Sequence, residues 1–395
     1  MALTGDEAVG HLLRRAGFGL APDDAPLWRK LGYRGAVRRL LDELDEPLPP
    51  EPPDFDPYEP GTIQQVWLDR MAGGKAPLAE KLAFFWHGHF ATSNVKIQEP
   101  ALMWRQYRLF RSKGAGRFDA LVLDVSRDVA MIRWLDGNAN RKGQANENYA
   151  RELQELFTLG IGNYTETDIR EIARAFTGWG SRHHDFVFSD EFHDHGEKTV
   201  HGKTGDLDGT DVVAILTALP ACRAFIATKL LRFFSHGDPT PGEVAEIAEV
   251  LEATGGDIRS ALFAMFLSPS FLDEKRLRCL VKGPVEVCVG GLRGTGIRET
   301  PLWVHGSLER MGQILFRPPS VKGWPDGTAW LTSAAVVERM KAARRLAQMK
   351  PSAAAWIVDI AFDGQAPPEL RKALEAAAGE ERVALALASP EYQLA

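Results

Sequence analysis

NENYARELQELFTLGIGNYTETDIREIARAFTGW, residues 146–179, decides the fold. Read at helical spacing, Tyr149, Leu153, Leu156 and Phe157 fall on one apolar stripe, and Glu147, Arg151, Gln154 and Glu155 on a polar one. Gly160 and Gly162 end the first helix, because glycine takes the left-handed conformation of a C-cap without steric cost. Thr165 opens the second. Its hydroxyl can cap free backbone N–H groups while Asp168 returns a bond, a capping box with Asp in the usual place of Glu. Ile169, Ile172, Ala173 and Phe176 then recur at helical spacing up to Gly178. The pattern is a helical hairpin with a tightly specified turn. Along its polar stripe Asn146, Glu147, Arg151 and Glu152 crowd amide, carboxylate and guanidinium together, a density that could line a site.

Outward from the hairpin, helical periodicity dominates. Residues 6–16 read as a helix with Ala8, Val9, Leu12 and Leu13 inward and Arg14 and Arg15 outward. Helices are expected over 23–31, 33–44, 63–71, 78–90, 100–110 and 118–135. Eight of the fifteen residues in 47–61 are proline or glycine, which prevents a regular helix and implies an extended linker hugging the surface. After Trp179, residues 180–210 are rich in glycine, histidine and acids, with one short alternating run at 186–188. This reads as a long functional loop with at most a small β-hairpin. Helices return over 211–219, 222–234, 243–253, 258–266, 281–292 and 302–315. A second irregular stretch, 316–331, is rich in Pro, Gly and Trp, and a helix over 333–349 follows it. The expected architecture is mainly α: a single multi-helical domain over 1–395 with two long ordered loops.

The chain is 45% hydrophobic and 25% charged, as globular proteins are. Its formal net charge of −6 argues against non-specific nucleic-acid binding. No run approaches the ~20 apolar residues of a membrane span. The start, MALTGDEAVGHLLRRAG, has acidic residues and no apolar secretion core, so the expected location is cytoplasmic, or periplasmic if an export signal has been removed. Cys222, Cys279 and Cys288 lack metal-ligand spacing and sit among apolar residues, which reads as small buried hydrophobes.

Six of the ten histidines fall in two places: His87 and His89 at a helix end, and His183, His184, His193 and His195 in the long loop. Imidazole is the commonest nitrogen ligand for transition metals, and carboxylates complete many such sites. If the loop folds over the hairpin, His87, His89, Glu147, His193, Asp194 and His195 converge on one or two divalent ions, zinc, manganese or iron. Arg151 and Lys198 offer a cationic pair for an anionic ligand. The bland alternatives are hydrogen-bonded structural histidines and an exposed Glu147–Arg151 ion pair at one-turn spacing. Trp179 and Trp324 lie near the loops and offer aromatic walls for a substrate, with core packing as their default. GDLDG, 205–209, resembles a fragment of a calcium loop but lacks its later oxygen ligands. No HExxH, GxxxxGK[ST] or GxSxG occurs.

HLLRRAGFG, FFWHGHFATS, the hairpin sequence, HDHGEKTVHG and RPPSVKGWPDGTAWL together, and in this order, resemble the bacterial family of domain of unknown function 1800. The resemblance covers nearly the whole chain and implies a single, predominantly helical domain. It places His89, Asn146, Glu147, Arg151, Glu152, His193, Asp194 and Lys198 where family sequences are similarly filled. His195 and His201 look particular to this chain, and Phe157 stands where relatives often have histidine. Family members often look exported and are often encoded beside sulfatase-like proteins.

The leading expectation is a metal-dependent hydrolase or phosphoryl-transfer enzyme acting on an anionic or sugar-like substrate. In it His87, His89, His193, Asp194 and His195 hold the metal, and Glu147 is the base. Arg151 and Lys198 clamp the anion, and Asn146, Glu152, Trp179 and Trp324 contact substrate. The alternatives are a non-catalytic binding or assembly protein, whose polar network orders the loops, and a redox metalloprotein.

Overall fold

The computed structural model describes residues 2–395. They are 62% helical, in twenty helices with two two-stranded sheets. Seven of the helices begin at proline: Pro60, Pro77, Pro100, Pro220, Pro241, Pro284 and Pro368. Proline suits that position, since its missing N–H is unpaired there anyway and its φ is already helical. One apolar cluster runs from Val9 to Tyr392, so both ends of the chain share a core.

The helix Pro77–His89 is the centre of that core. All its residues but Gly88 are buried, which its near-continuous apolar sequence requires, and its last turn carries His87 and His89. The first helix, Gly5–Ala16, departs from expectation on one side: Arg14 and Arg15 are buried at 5% and 1% exposure instead of facing water. The segment 25–42 is one element kinked at Gly32, whose φ of 64° breaks the helical run between the two expected helices. Over the helix Pro100–Lys113 lies the proline-rich stretch, with Phe55 against Trp104 and the Pro49 carbonyl accepting from Arg70.

The hairpin forms as Asn148–Glu152, a π-turn over Leu153–Thr158, and Glu166–Ala175. Gly160 and Gly162 take φ of 80° and 90°, and the Thr165–Asp168 capping box is complete. Gln154, assigned to the polar stripe, is instead fully buried. The buried positions 149, 150, 153, 154, 157 and 158 recur every four residues, and the widened π-turn, with more residues per turn than an α-helix, keeps them on one side.

The loop after the hairpin holds two small sheets, one more hairpin than the alternating run points to. Strands β1 (Trp179–Arg182) and β2 (Asp185–Phe188) pair antiparallel with Trp179 opposite Phe188. Strands β3 (Lys198–Val200) and β4 (Lys203–Gly205) pair with Lys198 opposite Gly205. Asp208 of GDLDG forms a capping box with Asp211 at the helix Gly209–Ala218, so those oxygens hold backbone N–H groups. Cys222 and Cys288 are buried and burial pushes both thiols up to about 12, whereas Cys279 is exposed, contrary to its apolar context. No single helix among the described residues is long and apolar enough to cross a membrane.

Candidate functional site

A cavity of about 460 Å³ opens where the ends of two helices, Gly5–Ala16 and Pro77–His89, meet the helix Pro220–Phe234 and the loop 316–331. Its wall carries five cations: Arg14, Arg15, Lys229, Arg232 and Lys322. Phe84, Phe233 and Trp324 form the apolar part. Two acidic side chains, Glu286 and Asp326, face the same space, and Glu286 is already taken by an ion pair with the buried Lys81.

Arg14 is fixed by Asp363, which accepts twice from its Nη1, at 2.7 and 3.0 Å. Gly10 makes room for this: a Cβ there would stand 1.7 Å from an Asp363 oxygen. Arg15 is held differently. Its Nη2 donates to the Arg276 carbonyl at 2.8 Å and to the Cys279 sulfur at 3.1 Å, while its Nε and Nη1 are buried without a partner among the described residues. Burial pushes Arg15 down to about 10, with Arg14 beside it adding to the effect. The buried lysines behind this wall shift the same way: burial lowers Lys81 and Lys282, and Arg278 falls to about 9 for the same reason. For each of these cations burial is what disfavours the charged form.

Two neutral groups in the lining carry an unpartnered polar atom. His89 Nε2–H donates to the Phe157 carbonyl at 3.0 Å, an end-of-helix acceptor that the π-turn leaves free. The other ring nitrogen, Nδ1, is then a lone pair, buried and unpartnered. Burial pushes His89 down to about 3, with Lys229 nearby adding to it, so the ring is neutral at neutral pH. The Trp324 indole N–H is also buried without a partner.

The other residues expected at a site are scattered. His87 Nε2 accepts the Phe316 backbone N–H at 3.0 Å, its ring is packed among Trp67, Phe316 and Trp324, and burial pushes it down to about 3. Arg151 donates to Glu166 at 3.0 and 3.1 Å and to Glu147 at 3.2 Å, on the protein surface. Asn146 accepts from Asn148 N at 2.9 Å, and Glu152 is half-buried with its carboxyl pushed up by burial and by Glu155. Trp179 packs edge-on against Phe176 and Phe186 under Arg127, a core role. In the loop, Asp194 is tied to Arg174 at 2.8 Å, which holds its carboxyl at about 2, and Lys198 is tied to Asp206 at 2.9 Å. His193 and His195 lie together, ring centroids 4.8 Å apart. Among the described residues the group competent to hold a metal is His193, His195 and Asp206, and His87, His89, Glu147 and Asp194 are not part of it.

A family model described as a protein of unknown function, DUF1800, matches residues 11–394. The chain belongs to the DUF1800 family. No curated protein and no solved structure matches it. The match begins at His11, so it takes in Arg14 and Arg15 as well as the whole remaining cavity wall save Ala395.

In this DUF1800 chain, His89 and Trp324 of the cavity are among the residues expected at a site, and its five cations are not. For Arg15 a signal exists. It stands seven residues after Ala8 and three after Leu12, spacing that puts it on the inward stripe of the first helix. Lys229, Arg232 and Lys322 carry no such mark, because a cation at the end of a helix or in a loop is ordinary. Asp206 sits inside GDLDG, where the calcium-loop pattern hides its link to Lys198 and His195.

Proposed function

We propose that this DUF1800 protein binds a small, multiply charged anion in the cavity, bearing phosphate or carboxylate groups on a scaffold that also carries a hydroxyl or N–H. The observation that carries this reading is Arg15: a guanidinium at 1% exposure in the cavity wall, with two donor nitrogens unpartnered. A buried charge without full hydrogen bonding is costly, and an oxyanion that fills those donors recovers the loss. The Trp324 N–H adds a donor, the His89 Nδ1 lone pair accepts from the ligand's hydroxyl or N–H, and Phe84, Phe233 and Trp324 cover its apolar face. A phosphorylated or carboxylated sugar matches that combination of demands. A hydrolytic role for Glu147 and Arg151 draws no support from this site, since neither residue lines it.

The test is calorimetric titration with inorganic phosphate, pyrophosphate, citrate, glucose 6-phosphate and, as the neutral control, glucose. Saturable binding of one or more anions, with glucose inert, is the expected result. Lys229→Gln should weaken binding about tenfold, as the loss of one charge-assisted contact does, and Trp324→Phe, which removes one N–H, should weaken it less. Both side chains are only partly buried, so folding tolerates the change. Arg151→Gln should leave affinity unchanged. No saturable binding by any anion, or equal affinity in the Lys229→Gln, Trp324→Phe double variant, overturns the reading.

A further inference from the structure

Outside the cavity, the loop between β2 and the helix Gly209–Ala218 brings three ligand-type side chains into one place. Ligand atoms of His193, His195 and Asp206 all lie within 4.8 Å of one another. Each is oriented by a second group. His193, 3% exposed, faces the Thr177 carbonyl with Nδ1 at 2.8 Å, which makes Nδ1 the protonated nitrogen and leaves Nε2 as a lone pair. His195 faces Asp190 with Nε2 at 3.1 Å and Asp206 with Nδ1 at 3.2 Å. Lys198, whose side chain is wholly buried, holds the other Asp206 oxygen at 2.9 Å and so turns Oδ2 toward His195.

We propose that this loop binds one divalent transition-metal ion, zinc foremost, through His193 Nε2, His195 Nδ1 and Asp206 Oδ2. In a tetrahedral zinc site with bonds of about 2.0 Å, neighbouring ligand atoms stand about 3.3 Å apart. The 3.2 Å between His195 Nδ1 and Asp206 Oδ2 is already such an edge. The two histidines have the outer partners that metal-bound imidazoles need: a backbone carbonyl for His193 and a carboxylate, Asp190, for His195. On binding, the ion takes the place of the proton between His195 Nδ1 and Asp206, and that proton leaves to solvent. Two nitrogens and one oxygen select a transition metal over magnesium or calcium, which prefer oxygen alone. The His195 and Asp206 side chains are about half exposed, so the fourth position faces water, the open arrangement of a site that can activate a bound water. Asp194, one residue away, is excluded because Arg174 and the Gly196 N–H already hold its carboxylate.

The test uses full-length protein without a histidine tag, stripped with chelator and titrated with Zn(II), Co(II) and Mg(II). One equivalent of Zn(II) should bind, Co(II) should give the visible absorption of a four- or five-coordinate ion, and Mg(II) should not compete. His195→Ala, on the exposed side of the site, should weaken Zn(II) binding by about 100-fold, and Asp190→Asn, which alters the outer partner, by about tenfold. His89→Ala and Lys229→Gln should leave uptake unchanged, so failure here and failure of the anion site are separate results. Absence of saturable Zn(II) uptake, or uptake unaltered in His195→Ala, overturns the proposal.

Discussion

On the hairpin, Arg151 is shared by two carboxylates in the open, Glu166 at 3.0 Å and Glu147 at 3.2 Å. In the cavity, Arg15 hydrogen-bonds no carboxylate, makes two bonds to weaker acceptors and keeps two nitrogens free. The side chain is the same and the environments are opposite. Water and nearby acids satisfy Arg151, so its hydrogen bonds to Glu166, with the attraction of Glu147 added, only raise its pKa. Burial penalises Arg15, so what it lacks in the protein it can take from a ligand. Density of polar residues along a chain thus marks where charges neutralise one another, whereas a binding site is marked by charges left unmatched.

The sharpest way to break this contrast is through Arg14, which lies between the two extremes. It shares the cavity wall with Arg15 and likewise keeps two nitrogens without a partner, but its Nη1 has a carboxylate partner in Asp363, and both side chains are buried to 4% exposure or less. Asp363→Asn removes the charge, keeps an oxygen acceptor, and tolerates the left-handed backbone at φ 56° there. Breaking a buried pair leaves an uncompensated charge, so urea unfolding should show a loss of about 3 kcal/mol. A loss below about 1 kcal/mol would place this pair with the exposed ones and remove the distinction between the regions.

The contrast also explains what the sequence makes legible. The hairpin turn could be read residue by residue, because Gly160, Gly162, Thr165 and Asp168 act within a few positions of one another. Gln154 could not, since the π-turn changes the period on which a helical reading depends. The cavity draws on positions 14, 15, 89, 229 and 322, and no periodicity links them. The mainly helical architecture and the two loops follow from local pattern. The meeting of the first helix with the loop 316–331 follows from packing alone.

A second test sharpens the comparison through pH. Folding holds His89 neutral, with its pKa pushed from 6.5 to about 3 by burial and by Lys229. Between those values the unfolded chain takes up a proton that the folded one refuses. The stability that His89 contributes is therefore fully present above pH 6.5 and is lost as pH falls toward 3. From pH 6.5 to about 5 the loss should be about 2 kcal/mol for this one group. His89→Gln, which cannot protonate, should flatten the stability–pH curve over that window, whatever it does to stability at pH 8. If slope is unchanged, His89 is solvated and the Nδ1 lone pair is not a cavity acceptor. His87, pushed to about 3 by burial alone, supplies a similar slope that the variant retains.

The smallest effect belongs to the hairpin. Glu166→Gln removes the carboxylate that bonds Arg151 twice, yet Glu147 stays within 3.2 Å, the Arg151 side chain is 36% exposed, and that of Glu166 is 67% exposed. Water replaces the lost partner at little cost, and salt screens what attraction remains. Urea unfolding should show no resolvable change in stability at low salt, and none in 1 M NaCl. A larger cost that persists in high salt would mean that Glu166 holds Arg151 against a demand from elsewhere, as Asp363 holds Arg14. Arg151 would then be a restrained cation on a polar face, and the hairpin, with Glu147 and Glu152 beside it, would regain its claim to be a second anion site. A null result leaves Arg151 as what its geometry describes: a solvated surface link from the first hairpin helix to the start of the second, with no share in the cavity.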